Sequence, residues 1–341
     1  MSITTSEPLS ESETLLPTLT DVLQATDRIH HVVKHTPLQR SEYLSQKYQA
    51  NILLKREDQQ LIRSFKLRGA LNKMIQLSSE QRANGVVCAS AGNHSQGVAY
   101  SCSHLKIPAT IYMPRNTPAQ KVSQVRKHGG DWVRVVLVGE NFDESYQQAI
   151  RFQQQNHATF IHPFDDFDVI SGQGTMALEI LEDSQSSIDY LFSPIGGGGL
   201  VSGLLTVFKA SSPHTRVVGV EPENAAAMSA SLKTGRNIQL NDIDPFVDGA
   251  ATLKAGELGF KICQQNIDHI MTVHESEACK ALIELYQEQA IVAELAGSLS
   301  IAALEKLKDE IRGKTVVCIL SGSNNDFYRF VEIKERAHRL E

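Results

Sequence analysis

Short apolar runs rich in β-branched residues recur along the chain, separated by longer segments in which apolar residues return at helical spacing. The runs at 50–55 (ANILLK), 85–90 (GVVCAS), 109–114 (ATIYMP), 132–138 (WVRVVLV), 159–163 (TFIHP), 190–195 (YLFSPI), 216–222 (RVVGVEP), 269–273 (HIMTV) and 315–321 (TVVCILS) read as strands. Helices are expected over 66–78, 94–104, 118–128, 143–155, 174–183, 200–210, 275–289 and 297–310. Helix and strand take turns, which predicts an α/β fold of parallel sheets with helices on both faces. Ligands in such sheets bind at the carboxyl ends of the strands. The chemistry is therefore sought where each run ends.

Three segments fall outside the alternation. The first 21 residues, rich in Ser, Thr and Glu with neither a basic start nor an apolar core, read as a loosely docked arm rather than a signal peptide. Residues 233–250 lack periodicity and are expected to form a long surface connection. The tail, 331–341, pairs Glu332 with Arg336 and Glu335 with Arg339 at helical spacing, as a solvated helix would.

A chain of 341 residues suits one large α/β unit or two domains, and a hydrophobic content of 41% supplies a substantial core. The net charge of −6 leaves no basic footprint for nucleic acid. The five cysteines include no C-x-x-C pair, which points to reduced thiols in a cytoplasmic protein, with Cys88 and Cys318 as buried filler. The uncharged window 190–208 has a proline and four consecutive glycines in its middle, so it reads as strand, loop and helix rather than a membrane span.

Three strand ends carry candidate chemistry. After Ile195 come Gly196, Gly197, Gly198 and Gly199, with a helix starting near Leu200. Glycines let backbone N–H groups turn inward, and the helix N-terminus adds its positive end, so the loop suits a phosphate. No Lys-Ser/Thr follows, which excludes a nucleoside-triphosphate P-loop. After Cys88 comes SAGNH (90–94), where Ser90, Asn93 and the backbone of Ala91, Gly92 and His94 suit a carboxylate at a helix start, or an ordinary N-cap. After Leu320, Ser321 displays a hydroxyl suited to a heterocycle nitrogen.

Lys66, in RSFKLRGA (63–70), gains meaning from these loops. A lysine attacks a carbonyl only when unprotonated, a form that desolvation by Phe65 and nearby cations Arg63 and Arg68 favour. One ligand would use every feature: an aldehyde for Lys66, a ring nitrogen for Ser321, a ring hydroxyl for Asn93 and a phosphate for the glycines. Pyridoxal 5'-phosphate has these parts. No H-E-x-x-H or Cys/His cluster suggests a metal, and the aspartates of PFDDFD (163–168) lack calcium-loop spacing, so Asp165, Asp166 and Asp168 read as turn or helix-cap residues.

RSFKLRGA, SAGNHSQGVA, GGGGL and SGSN, in this order, resemble the fold-type II pyridoxal-phosphate enzymes, and the likeness continues through KHTPLQRSEYLS, MPRNTPAQKV, PFDDFDVISGQGT, VGVEPENA and AIVAELAG. Across about residues 25 to 337 the chain is similar to the biosynthetic threonine dehydratases (threonine ammonia-lyases). The resemblance implies a tryptophan synthase β-like fold with the cofactor in a cleft. It implies a flexible arm (1–24), a large domain (25–85 and 164–341) and a small mobile domain (86–163). It makes Lys66 the Schiff-base lysine packed by Phe65, Asn93 the contact to the ring hydroxyl, Gly196 to Leu200 the phosphate loop, Ser321 the partner of the ring nitrogen, and Ser90 to His94 the grip on the substrate carboxylate. It implies a homodimer or homotetramer acting on an amino acid, with no nucleic-acid or membrane partner. Related dehydratases often carry an isoleucine-binding regulatory domain. None is expected within these residues, and hence no isoleucine feedback from them.

The implied reaction is the α,β-elimination of L-threonine to 2-oxobutanoate and ammonia, the first step of isoleucine biosynthesis, with L-serine giving pyruvate. Serine racemase (or serine dehydratase) is the nearest alternative. Racemisation needs a second acid-base group, and the racemase pattern has serine where this chain has Ala91. The racemase-like metal site has an acid six positions after the Glu of VEP, which here is Ala227. β-Synthases share the fold and add a nucleophile. A non-catalytic phosphate-binding module would use the glycines and leave Lys66 without a role. Leu295 stands where the related pattern has proline.

Overall fold

The computed structural model describes residues 15–338. Its strands are β1 (Leu38–Arg40), β2 (Asn51–Arg56), β3 (Val86–Ala89), β4 (Ala109–Met113), β5 (Val133–Leu137), β6 (Thr159–Phe160), β7 (Tyr190–Pro194), β8 (Arg216–Pro222), β9 (His269–Val273) and β10 (Thr315–Leu320). The helices are α1 (Leu19–Ile29), α2 (Glu42–Tyr48), α3 (Lys66–Ile75), α4 (Ser79–Asn84), α5 (Asn93–Leu105), α6 (Ala119–Gly129), α7 (Phe142–Asn156), α8 (Phe167–Asp183), α9 (Gly199–Ser211), α10 (Ala227–Thr234), α11 (Glu257–Asn266), α12 (Glu275–Gln289), α13 (Leu295–Ala302) and α14 (Phe330–Ala337).

The strands form a six-stranded sheet in the order β1-β2-β10-β7-β8-β9 and a four-stranded sheet in the order β5-β4-β3-β6. Only β1 runs antiparallel, with Leu38 opposite Lys55. Side chains alternate between the faces of a strand, and a strand buried on both faces is therefore apolar throughout. In β10, Val316, Cys318 and Leu320 enter the core under α12 and α13, whereas Val317 and Ile319 enter the core under α8 and α9. In β3, Val86 and Cys88 face α3 and α5 while Val87 and Ala89 face α7. The expected α/β fold is thus the observed one.

Connectivity positions the site. In the large sheet the chain moves outward from β7 to β8 and β9, then returns through β10 on the other side of β7. In the small sheet β4 and β5 lie on one side of β3 and β6 on the other. Strand order reverses at β7 and β3, so the loops after them open the crevices where α/β sheets bind ligands. Those loops are the glycine run and SAGNH.

Several expectations are corrected. The arm expectation covered residues 1–24, of which 1–14 lie outside the described residues. From Leu19 onward the chain is helical, with a capping box between Thr18 and Asp21 and with Val22 and Ala25 fully buried. The 233–250 connection runs over the surface as expected, except that Phe246, Val247 and Ala250 near its end anchor it in a core. Helix α8 begins at Phe167, well before position 174, because its glycines serve packing rather than turning. A Cβ on Gly172 would lie 2.7 Å from the Arg68 carbonyl and from Gly69 Cα, so α3 and α8 approach at van der Waals distance.

Candidate active site

The loop before α3 is laced to the loop after β10. Ser64 forms an isolated antiparallel bridge with Gly322, the Phe65 N–H donates to the Ser321 carbonyl (3.1 Å), and the Ser323 N–H donates to the Arg63 carbonyl (2.9 Å). Arg63 makes the turn with a φ of 60°, in the left-handed region. This lacing sets Lys66, at the first turn of α3, beside the segment containing Ser321.

Lys66 Nζ donates to the Pro163 carbonyl (2.7 Å) and lies 5.2 Å from the centre of the Phe65 ring. The residue as a whole is half-buried, but protein encloses its amine. Burial pushes the amine down to about 8, with the charge of Glu294 opposing. The expected cationic help from Arg68 is absent. Its guanidinium turns away into Glu57 and Glu179, at 2.8 and 2.7 Å, and its charge is matched there.

Helices α3, α5 and α9 begin without a side-chain cap, as do α6, α13 and α14, whereas Thr18, Ser41, Ser78, Asn141, Asp166 and His274 cap α1, α2, α4, α7, α8 and α12. The first N–H groups of a helix have no partner within it, so an uncapped start offers donors to an anion. At α9, Gly198 takes a φ of +95°. A Cβ on Gly197 would meet the Phe164 ring at 2.3 Å, and one on Gly199 would meet the Phe164 carbonyl at 2.7 Å. The glycine run is therefore also dictated by the chain passing directly beneath it. Leu200 is buried behind the loop.

At α5, Ser90 Oγ accepts from the Gly92 N–H (3.2 Å), and a Cβ on Gly92 would enter open space. Half-buried Ala91 lies between them. His94 Nε2 donates to the Ile161 carbonyl at 2.8 Å, and burial pushes its imidazole down to about 3. The ring is neutral and engaged elsewhere, so His94 faces the loop with its backbone N–H alone. Asn93 Nδ2 donates to Glu294 Oε1 (2.6 Å), and Asn93 Oδ1 accepts from Asn324 Nδ2 (2.7 Å).

The residues singled out in the sequence thus gather where the two sheets meet, together with three that were not, Phe164, Glu294 and Asn324, while Asp165 takes the helix-cap role read for it. Phe164 underlies the glycine loop. Asp165 accepts from the Glu257 and Leu258 N–H groups and so caps α11. Glu294 and Asn324 hold Asn93. Glu294 had a signal, as a lone acid in the apolar run AIVAELAGSLSIAAL. The other aspartates of PFDDFD are structural, since Asp166 caps α8 and Asp168 pairs with Lys73 at 3.0 Å. Among the described residues no group of three His, Cys, Asp or Glu could hold a metal ion, all five cysteines are free and buried, and no helix is long and apolar enough to cross a membrane.

This donor set fits pyridoxal phosphate. It has an enclosed amine shifted toward neutrality, an uncapped glycine-lined helix start, and a buried Ser64 Oγ with no partner beside the Lys66 loop. The sequence model of the pyridoxal-phosphate dependent enzymes matches residues 29–322.

The chain belongs to this family of enzymes.

Within the family it is 52% identical to the L-threonine dehydratase biosynthetic IlvA of Halalkalibacterium halodurans, over 93% of this chain and 76% of that one. The protein of the same name from Bacillus subtilis is also 52% identical, over 97% of this chain and 78% of its own length. Among solved structures, the processed form of threonine deaminase isoform 2 from Solanum lycopersicum superposes with a TM-score of 0.88 at 38% identity, covering 97% of this chain and 99% of that one. Maize serine racemase superposes with a TM-score of 0.87 at 29% identity, covering 96% and 100%.

Proposed function

We propose that this pyridoxal-phosphate enzyme is a threonine ammonia-lyase. It converts L-threonine to 2-oxobutanoate and ammonia, and L-serine to pyruvate and ammonia. The observation that carries the reading is the 52% identity to L-threonine dehydratases over nearly the whole chain, on a site whose lysine amine is enclosed by protein. Lyase chemistry at the head of isoleucine biosynthesis follows from that likeness.

Bound in the crevice, the cofactor would withdraw electrons from the substrate Cα. The chain's own residues then have assignable roles. Lys66 would hold the cofactor aldehyde, and its amine is the base placed to take the Cα proton; Phe65 would keep the amine dry. The N–H groups of Gly196 to Leu200 would hold the phosphate, Ser321 would face the ring nitrogen, and Asn93 would donate to the ring oxygen. Ser90, Ala91, Gly92, Asn93 and His94 grip the substrate carboxylate with a hydroxyl and backbone N–H groups at the start of α5. A serine hydroxyl would not keep the ring nitrogen protonated as a carboxylate would, so the bound ring would be a weaker electron sink and prompt loss of the β-hydroxyl the favoured course.

Residues 86–163 would move as the small domain against 25–85 and 164–341, closing over substrate to exclude water. The contact from Lys66 to Pro163 sits at that boundary. The oligomer, a homodimer or homotetramer, and the cytoplasmic setting are inferred from the same likeness.

Racemisation is the second reading, favoured by the superposition on maize serine racemase. Two local features oppose it. Ala91 offers no acid-base group, and Ala227 stands where the racemase-like metal site has an acid. The test is 2-oxo-acid release from L-threonine and L-serine by protein supplied with pyridoxal phosphate. Rapid 2-oxobutanoate formation is expected; D-serine from L-serine without oxo acid would replace the assignment with racemisation.

A further inference from the structure

The Asn93 amide has each of its polar atoms tied to the large sheet's side of the site. Its nitrogen donates to Glu294 Oε1, and its oxygen accepts from Asn324 Nδ2. Glu294 Oε2 accepts from the Asn324 N–H at 2.9 Å, and Asn324 Nδ2 spends its other hydrogen on the Ile62 carbonyl at 2.9 Å. An amide nitrogen carries two hydrogens. One of Asn93's is committed to Glu294, and one remains.

Turning the Asn93 amide half a revolution would set its oxygen against the Glu294 carboxylate. It would also set its nitrogen against Asn324 Nδ2, which has no acceptor to offer. We infer that Glu294 is a positioning residue, fixing the Asn93 amide so that it presents a hydrogen-bond donor, not an acceptor, to the ring oxygen of the cofactor. The inference rests on the assignment of Asn93 to that oxygen under the proposed function.

A carboxylate suits this role because both of its neighbours are donors. Glutamine offers one acceptor oxygen and one NH₂, so it satisfies one neighbour and confronts the other. The surroundings also make room for the acid. Side chains at Gly322 or Gly249 would meet Glu294 Oε1 at 2.8 and 3.3 Å. Burial, with Asp248 adding, pushes Glu294 up to about 7, while Asn324, Asn93 and Lys121 oppose. Lys66 is the remaining charged group that Glu294 influences. At neutral pH and above the carboxylate form, with two acceptors, is therefore populated.

The experiment uses the holoenzyme and the variants Glu294→Gln, Asn93→Ala and the double variant. It reads the visible absorbance band of bound pyridoxal phosphate and the cofactor dissociation constant. Glu294→Gln is expected to displace the band and weaken retention about tenfold, as loss of a buried charge-assisted hydrogen bond does. Asn93→Ala should do the same, and the double variant should add little, because both act on one contact. An unmoved band in Glu294→Gln, or losses that multiply in the double variant, would overturn the inference. If Glu294→Gln does not fold, Glu294→Asp replaces it. That variant keeps the charge but draws the carboxylate back by one methylene from the Asn93 amide, so an unchanged band there is equally decisive. These readouts need no substrate, so a failure of the threonine assignment leaves them standing.

Discussion

Lys66 and Pro163 meet across the junction of the two sheets, the lysine amine donating to the proline carbonyl at 2.7 Å. A carbonyl holds the amine in place without supplying the charge that would keep it protonated, and burial lowers its pKa to about 8. In cofactor-free protein, covalent capture of pyridoxal phosphate should therefore accelerate as pH rises through about 8, rather than through the range of an ordinary lysine near 10.4. Borohydride trapping of the bound cofactor across pH 6.5–10 reads this directly. Lys66→Ala should show no trapping and no oxo-acid release. A midpoint near 10 would mean that burial does not activate the amine.

Ser321 directly follows β10, two per cent exposed, with its carbonyl bound to the Phe65 N–H. A carboxylate at this position would keep the ring nitrogen protonated and prolong the carbanion. Ser321→Asp should slow 2-oxobutanoate release by about tenfold or more, since proton placement in a site contributes on the order of 10²–10⁴ in rate. Exchange of the Cα hydrogen with solvent deuterium should gain relative to elimination. An unchanged partition between exchange and elimination would count against the electronic argument.

These predictions involve residues that were legible in the sequence, and the reason is physical. Lys66, Asn93, Ser321 and the glycines all lie at strand or helix ends, where apolar runs break into turn chemistry. The apolar runs of β2, β7, β8 and β10 were legible because both faces of the strands are covered. What stayed hidden has no local pattern. The strand Leu38–Arg40 is three residues long with two of them polar, and exists because it pairs with β2. Helix α1 looked like a polar arm because only Val22, Ala25 and Ile29 are buried. Asn324 holds Asn93 from 231 positions away, and no short-range signal encodes that.

Gly199 and Gly92 stand at the starts of α9 and α5 but tolerate a methyl group differently. A Cβ on Gly199 would lie 2.7 Å from a backbone oxygen and 2.9 Å from a backbone Cα of Phe164, neither of which can rotate away. Gly199→Ala should cost about 1–3 kcal/mol and weaken cofactor retention. Gly92→Ala meets nothing within 4 Å, so stability should change by less than about 0.5 kcal/mol. Its methyl would enter the space assigned to the substrate carboxylate and raise KM. Melting curves and KM for the two variants separate packing from substrate contact.

Beneath α3 lies a balanced ionic cluster. Arg68 bonds Glu57 and Glu179 at 2.8 and 2.7 Å, and Lys55 bonds Glu179 at 2.6 Å. Glu179→Gln would leave one carboxylate facing two buried cations and should cost about 3 kcal/mol. The pH dependence identifies the cause. Burial lowers the Lys55 pKa from its ordinary value, with Glu179 among the charges opposing. Without Glu179 the native state binds a proton on Lys55 still less readily than the unfolded chain does. Stability then rises with pH wherever the unfolded state holds more protons. The deficit of Glu179→Gln should therefore be largest near neutrality and shrink as pH rises toward 10.5, as denaturant melts at pH 7 and pH 9.5 would show. Equal deficits at both values would assign the loss to hydrogen bonding and packing alone. The trapping midpoint of Lys66 should stay near 8 in this variant, because Glu179 is not among the groups acting on that amine.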